Sequence, residues 1–167
     1  MAAKNTGIKG KDKILMFRRL DQDKQETGVK LALQTTHTWD YARSVEGIDT
    51  KDGTITSGGG LTVTLSIEAV ASNDELNKML KQAVLDDAIL EVWDVDMSTY
   101  DTSTKKADAQ YAQGRLQGWS VPADVSDLSR ISTTMSINGV PQSGTVTLTE
   151  AQEAQYQYAF RGTEKVV

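Results

Sequence analysis

Residues 58–96 read GGGLTVTLSIEAVASNDELNKMLKQAVLDDAILEVWDVD, and three elements follow one another in them. After the glycines, Leu61, Val63, Leu65, Ile67 and Ala69 alternate with Thr62, Thr64, Ser66 and Glu68. A period of two gives a strand one apolar face and one hydroxyl-rich face. Ser72 and Glu75 stand at capping-box spacing, each able to satisfy a free amide at a helix start. Leu76, Met79, Leu80, Ala83 and Val84 form one helical stripe, with Lys78, Lys81 and Gln82 turned away. The spacing predicts a helix over 72–85, ended by Asp86-Asp87. Ala88 to Val95 is strand-like again.

Most of the remaining chain also carries strand patterns. Ile14–Leu20 is a short strand candidate. Val29, Leu31, Leu33 and Thr35 alternate with polar neighbours, and the pattern extends through His37, Trp39 and Tyr41. Gln110–Val121 has small residues on one face, which permits close approach of another surface, and Pro122 ends it. Ser129–Ile137 and Thr145–Thr149 alternate in the same way, separated by Asn138-Gly139, a hairpin signal. Glu150–Phe160 fits helix and strand equally. Residues 1–12 are polar and read as a flexible arm. Residues 13–167 read as one domain that includes the helix and a long Gly-, Asp- and Thr-rich loop over 46–58. Met97–Ala109 reads as polar turns. Connections this long are usually functional or disordered.

Composition narrows the function classes. The chain of 167 residues has no cysteine, so disulfides and thiolate metal sites are excluded. That absence agrees with assembly in a reducing cytoplasm. No apolar run is long enough for a membrane-crossing helix, and Met1-Ala2-Ala3-Lys4 lacks the apolar core of a signal peptide. The net charge of −5 is uneven. Residues 1–30 hold eight basic and four acidic groups, and the rest holds ten and nineteen. Nucleic-acid affinity needs a concentrated basic surface, which the acidic body does not offer. A basic end on an acidic body suits head-to-tail contact between identical subunits. Lys4, Lys9, Lys11, Arg18 and Arg19 are the basic candidates for such contacts, and Asp49 and Asp52 the acidic ones.

Catalytic chemistry has no foothold in the motifs. His37 is the single histidine and sits in a strand pattern beside Trp39 and Tyr41. Asp94, Asp96 and Asp101 lack the central glycine and terminal glutamate of a calcium loop. Gly58-Gly59-Gly60 precedes a strand, not the helix that a phosphate loop requires. Asp86-Asp87 lies at a helix end, where adjacent carboxylates are solvated. Trp39, Trp93 and Trp119 fall in separate strand candidates, which favours burial in a core or subunit contact over a sugar-stacking platform. No cofactor is implied, and a structural building block is expected rather than an enzyme.

The succession is recognisable as a whole. A Lys- and Gly-rich arm leads to strands bearing Gln34-Thr35-Thr36-His37-Thr38-Trp39. A long connection follows, then Gly60-Leu61-Thr62-Val63-Thr64-Leu65-Ser66, one helix, and Ile89-Leu90-Glu91-Val92-Trp93. This order resembles the major tail proteins, or tail tube proteins, of siphophages infecting Gram-positive bacteria. The resemblance spans essentially the full length but rests on no invariant functional residue. It implies a mainly β fold, a two-sheet sandwich or partial barrel with one flanking helix. It also implies hexameric rings stacked head to tail around a channel that passes double-stranded DNA during ejection. Tape measure, tail terminator and distal tail proteins would be its partners, in a virion tail assembled in the host bacterial cytoplasm. Another virion or secretion-tube subunit, or a carbohydrate-binding β sandwich, are the competing readings.

A DNA conduit must not hold DNA, and basic residues in its lining would attract phosphate. Thr62, Thr64, Ser66, Glu68, Ser132, Thr134 and Ser136 form the polar faces of two predicted strands, with Thr145, Thr147 and Thr149 beyond them. They are the expected channel lining, and ordinary solvent-facing sheet positions are the alternative. The strands at 89–95, with Glu91, and at 110–120 are the next candidates.

Overall fold

Alternating apolar and polar residues form strands wherever their apolar side finds cover. The computed structural model describes residues 7–152. In chain order the strands are β1 (Lys13–Arg19), β2 (Val29–Lys30), β3 (Gln34–Thr50), β4 (Gly53–Val70), β5 (Leu90–Asp101), β6 (Lys106–Leu116), β7 (Arg130–Ile137) and β8 (Gln142–Thr147). Helix α1 spans Glu75–Leu85. All strand pairs are antiparallel within one sheet, ordered β2-β1-β5-β6-β7-β4-β3, with β8 also on β6.

The sheet curls around its apolar face. Leu15 and Phe17 of β1, Leu90 and Val92 of β5, Met135 of β7, and Leu65 and Ile67 of β4 share one buried cluster with Leu76, Leu80 and Ala83 of α1. β3 lies at the far edge, with three strands between it and β5. Its His37 and Trp39 nevertheless bond Asp94 of β5, and Gln110 of β6 donates to the hydroxyl of Tyr41. At the start of β3 the two edges meet. Leu15 N–H donates to Gln34 Oε1 at 3.1 Å, and Val70 N–H donates to Leu33 O at 3.0 Å. The expected mainly β class with one flanking helix holds, and a single sheet closing on itself is the form it takes. On the reverse face a smaller cluster joins Ile14, Met16, Val95, Met97, Ala107 and Leu148. Among the described residues no helix is long and apolar enough to cross a membrane.

Four local expectations are corrected. The helix is capped by Asp74, not Ser72: Asn77 N–H donates to Asp74 Oδ1 at 2.8 Å. Ser72 instead donates to Asp74 Oδ2 at 2.6 Å and so holds the cap in place. Residues 46–58 are not a loop but the outer part of a long β3–β4 hairpin. Glu46 pairs with Ser57, Ile48 with Ile55 and Asp49 with Thr54. Cross-strand hydrogen bonds satisfy this backbone without any apolar face, so a periodicity search passes over it. Residues 97–109 are likewise mostly strand, with only 102–105 left between β5 and β6. Asn138-Gly139 makes no hairpin. A two-residue type I′ turn needs positive φ at both centres, and only Gly139 has it, at 65°. β7 and β8 therefore run one after the other along the same edge of β6.

Small residues on β6 do allow close approach. A Cβ on Gly114 would fall 2.0 Å from Ser136 O, so β6 and β7 could not pair here with a larger residue. The arm at 1–12 is described only from Gly7, and Gly10–Asp12 form one 3-10 turn. The Glu150–Phe160 segment lies outside the described residues after Gln152.

Leu80 is 2% exposed and Lys81 faces solvent. Leu80→Ala is expected to lower stability by about 2–5 kcal/mol, and Lys81→Ala by less than about 0.5 kcal/mol. Chemical denaturation checks both, and equal losses would mean that α1 packs through another face.

Candidate self-assembly surfaces

The hydroxyl-rich residues gather on one surface because neighbouring strands keep their pleats in phase. Across β4 and β7, Thr64 pairs with Ser136, Ser66 with Thr134 and Glu68 with Ser132. β3 continues the same face: Ala42 stands opposite Thr62, Asp40 opposite Thr64, Thr38 opposite Ser66 and Thr36 opposite Glu68. Each of the seven residues expected to share a lining is therefore on this face, and each is exposed or half-buried. The face is the reverse of the apolar one, so it lies on the outside of the curl. Thr36, Thr38 and Asp40 were not singled out, although they alternate with His37, Trp39 and Tyr41. Thr145 and Thr147 of β8 pair with Asp108 and Lys106, which puts them on the opposite face of the sheet, so they do not join the hydroxyl-rich one. Basic residues stand only at its borders. Arg130 is at the start of β7, and Arg115 of β6, opposite Ser136, pairs with Asp87 at 3.1 Å.

Two of the expected basic contact residues turn inward. Arg18 Nε donates to Glu91 Oε2 at 2.6 Å, and its guanidinium lies 5.1 Å from the Trp93 ring centre. Arg19 bridges Asp21 and Asp86 at 3.0 and 3.1 Å. Both guanidinium groups are raised above their ordinary value, first by these side-chain hydrogen bonds. Committed to their own chain, they are poor inter-subunit contacts. Glu91 is likewise buried and also accepts from the Tyr111 hydroxyl at 2.6 Å, which removes it as a lining residue. Lys9 precedes the 3-10 turn and Lys11 lies within it, and both are exposed. Lys4 lies outside the described residues.

Asp49 and Asp52 sit at the tip of the β3–β4 hairpin. Gly53, with φ of 120°, closes the turn, and the Thr50 hydroxyl donates to Gly53 O at 2.6 Å. The outer hairpin is exposed on both strands, including Val45, Ile48 and Ile55, each more than half exposed. Among the described residues nothing covers these apolar side chains on the projecting two-stranded ribbon. The ribbon is offset where β4 bulges at Gly59 and Gly60 opposite Ser44. A Cβ on Gly59 would lie 2.3 Å from Ser44 Oγ, and Arg43 donates to Gly59 O at 2.8 Å.

The root of this hairpin is fixed by Asp94, which is 5% exposed. Trp39 Nε1 donates to its Oδ2 at 2.8 Å, and His37 Nε2 does so at 3.1 Å. Burial pushes the Asp94 carboxyl up, but these donors and the Lys13 charge together hold it below its ordinary value. A depressed folded-state pKa adds stability above the unfolded value, and that stability is lost as pH falls through the folded value. Asp94→Asn is therefore expected to be less stable than wild type at pH 7, with the gap narrowing below about pH 4. Thermal melts from pH 7 to pH 2.5 test this. A gap that stays constant over that range would show that the carboxylate charge is not what the contact uses.

The family model described as phage tail tube protein matches residues 7–143. No curated protein matches the chain in sequence. The SPP1 tail tube subunit shares the fold at 17% identity with a TM-score of 0.76, over 96% of this chain and 95% of that one. A chain of the native gene transfer agent virion aligns at 12% identity with a TM-score of 0.60, over 83% and 99%. The tube-terminating cap of the anti-feeding prophage aligns at 7% identity with a TM-score of 0.55, over 89% and 96%.

Proposed function

The chain belongs to the phage tail tube protein family and is a structural subunit of a phage tail tube; on that premise we propose that six copies close into a ring, that rings stack head to tail, and that the hydroxyl face of β3, β4 and β7 lines the bore. The role is structural, not catalytic. The observation that carries the lining is the register, which joins Thr64 to Ser136, Ser66 to Thr134 and Glu68 to Ser132 in one wet surface with arginines only at its edges. Hydroxyls keep such a bore hydrated, while Glu68 and Asp40 repel phosphate. Double-stranded DNA then passes without being held. Tape measure, tail terminator and distal tail proteins are the proposed partners inside and at the two ends of the tube. The virion tail, assembled in the host cytoplasm, is the proposed location.

Exposure of Val45, Ile48 and Ile55 supports the hairpin as an arm that another subunit covers. Replacing residues 46–57 by a two-residue Asn-Gly turn is expected to leave a monomer that melts like wild type and forms no tubes in negative-stain microscopy. Tubes of normal length from the shortened chain would contradict that role.

The lining is tested by charge. Thr64 and Thr134 are both half-exposed, so Thr64→Lys and Thr134→Lys are expected to fold. Ring symmetry would repeat each lysine around the bore. Particles carrying them should eject DNA slowly or incompletely, with the defect relieved by salt, because phosphate contacts weaken as ionic strength rises. Wild-type ejection kinetics from such particles would place the face elsewhere.

A further inference from the structure

Four asparagines occur in the chain, and Asn138 is the one followed by glycine. The pair makes no hairpin, and the geometry it does adopt leaves it chemically open. Asn138 N–H donates to Gln113 O at 2.7 Å, which extends the β6–β7 ladder one residue past the pairing of Ile137 with Gly114. Beyond that bond the chain leaves the sheet. Gly139 turns away with φ of 65°, and Asn138, Gly139 and Val140 are all exposed. The Gly139 N–H has no hydrogen-bond partner among the described residues. Even a Cβ on Gly139 would meet nothing within 4 Å, so the approach to its nitrogen is uncrowded.

These are the conditions under which an asparagine reacts with its own backbone. The Gly139 amide nitrogen gives up its proton and attacks Asn138 Cγ. The N–Cγ bond forms, the Cγ–Nδ2 bond breaks, and ammonia leaves with that proton, closing a five-membered succinimide. Water then opens the ring. Opening at Cγ gives aspartate, and opening at the main-chain carbonyl gives isoaspartate. The net change is side-chain amide plus water to carboxylic acid plus ammonia, with no oxidant or cofactor. A side chain on the following residue hinders the attack, and glycine has none.

The other asparagines lack this combination. Asn77 is 7% exposed in the first turn of α1. The nitrogen that follows it, Lys78 N, donates to Asp74 O at 3.3 Å, and Asn77 Nδ2 is itself held by Ser72. Asn73 precedes Asp74 and Asn5 precedes Thr6, so a side chain stands beside each attacking nitrogen.

We propose that Asn138 is a modification site at which the chain converts its own side-chain amide into an aspartate or isoaspartate carboxylate. Register places the new charge. Asn138 stands opposite Gln113, so it follows Ser132, Thr134 and Ser136 on the hydroxyl-rich face. Arg115, opposite Ser136, is its diagonal neighbour there, within reach of a charged side chain across antiparallel strands. Each conversion adds one negative charge to the border where that face carries an arginine. The chemistry does not depend on the stacked-ring reading.

Ageing of the full chain in mildly alkaline buffer tests the site, since base removes the amide proton. Peptide mapping is expected to find a mass gain of about 1 Da on the peptide that holds Asn138, before any change at Asn73 or Asn77. Isoelectric focusing should show one added negative charge, and ammonia release should match it mole for mole. Asp52-Gly53 can isomerise through the same ring, but with no change of mass or charge. A free peptide of residues 134–143 gives the unhindered rate. The folded chain is expected to convert within about tenfold of that rate, because no local opening has to precede the attack. Asn138→Gln, whose longer side chain disfavours the ring, is expected to lose the mass gain while melting like wild type. An intact Asn138 in aged protein, or conversion more than about tenfold slower than in the peptide, would overturn the proposal. So would an equal mass gain at the same peptide in the Asn138→Gln variant.

Discussion

The main apolar face of this antiparallel sheet is covered by the sheet closing on itself, and that closure is secured by a buried carboxylate. Asp94 of β5 accepts from His37 and Trp39 of the far-edge strand β3. Its other oxygen is buried without a hydrogen-bond partner, an arrangement with an appreciable desolvation penalty. What it provides is position. With β3 fixed across the interior, Leu65, Ile67 and Met135 face Phe17 and Val92, and α1 covers the remaining opening with Leu76, Leu80 and Ala83. Without that closure, the apolar face of β3 and β4 would lie open to water.

Closure also determines which surfaces remain available. The inner face is used up by the core, so the reverse face of β3, β4 and β7 is left to water and carries hydroxyls. β3 and β4 continue past the core as a ribbon, because antiparallel pairing satisfies their backbone even where nothing packs beneath. The basic character of residues 1–30 divides in two. The arginines lock β1 to its neighbours through Glu91, Asp21 and Asp86. The lysines at 11, 13 and 30 gather around an open cavity. The result is a core closed within one chain, a hydrated sheet face and an exposed projecting ribbon.

Much of this was legible in the sequence where periodicity and burial coincide. Leu61–Ala69 and the stripe Leu76–Val84 gave a strand and a helix in the right places, and alternation grouped the hydroxyls of β4 and β7 before their register was known. What was not legible depends on long-range partners. The outer hairpin has no buried side to create a pattern, so its glycines, aspartates and threonines resemble a loop. Asn138-Gly139 has the composition of a hairpin, yet the free edge of β6 captures the following strand in the same direction. Ser72 and Asp74 are both good caps, and the choice between them depends on where β4 delivers the chain. Arg18 and Arg19 looked available because sequence does not show Glu91 and Asp86 folded against them.

The lumen wall can be observed directly by helical cryo-EM reconstruction of tubes polymerised from the full chain. Thr64, Ser66, Thr134 and Ser136 are expected on the innermost surface, with no lysine or arginine projecting past them into the bore. A reconstruction that places this face on the outer wall of the tube, or buries it between subunits, would contradict the assignment of the hydroxyl sheet to the DNA channel.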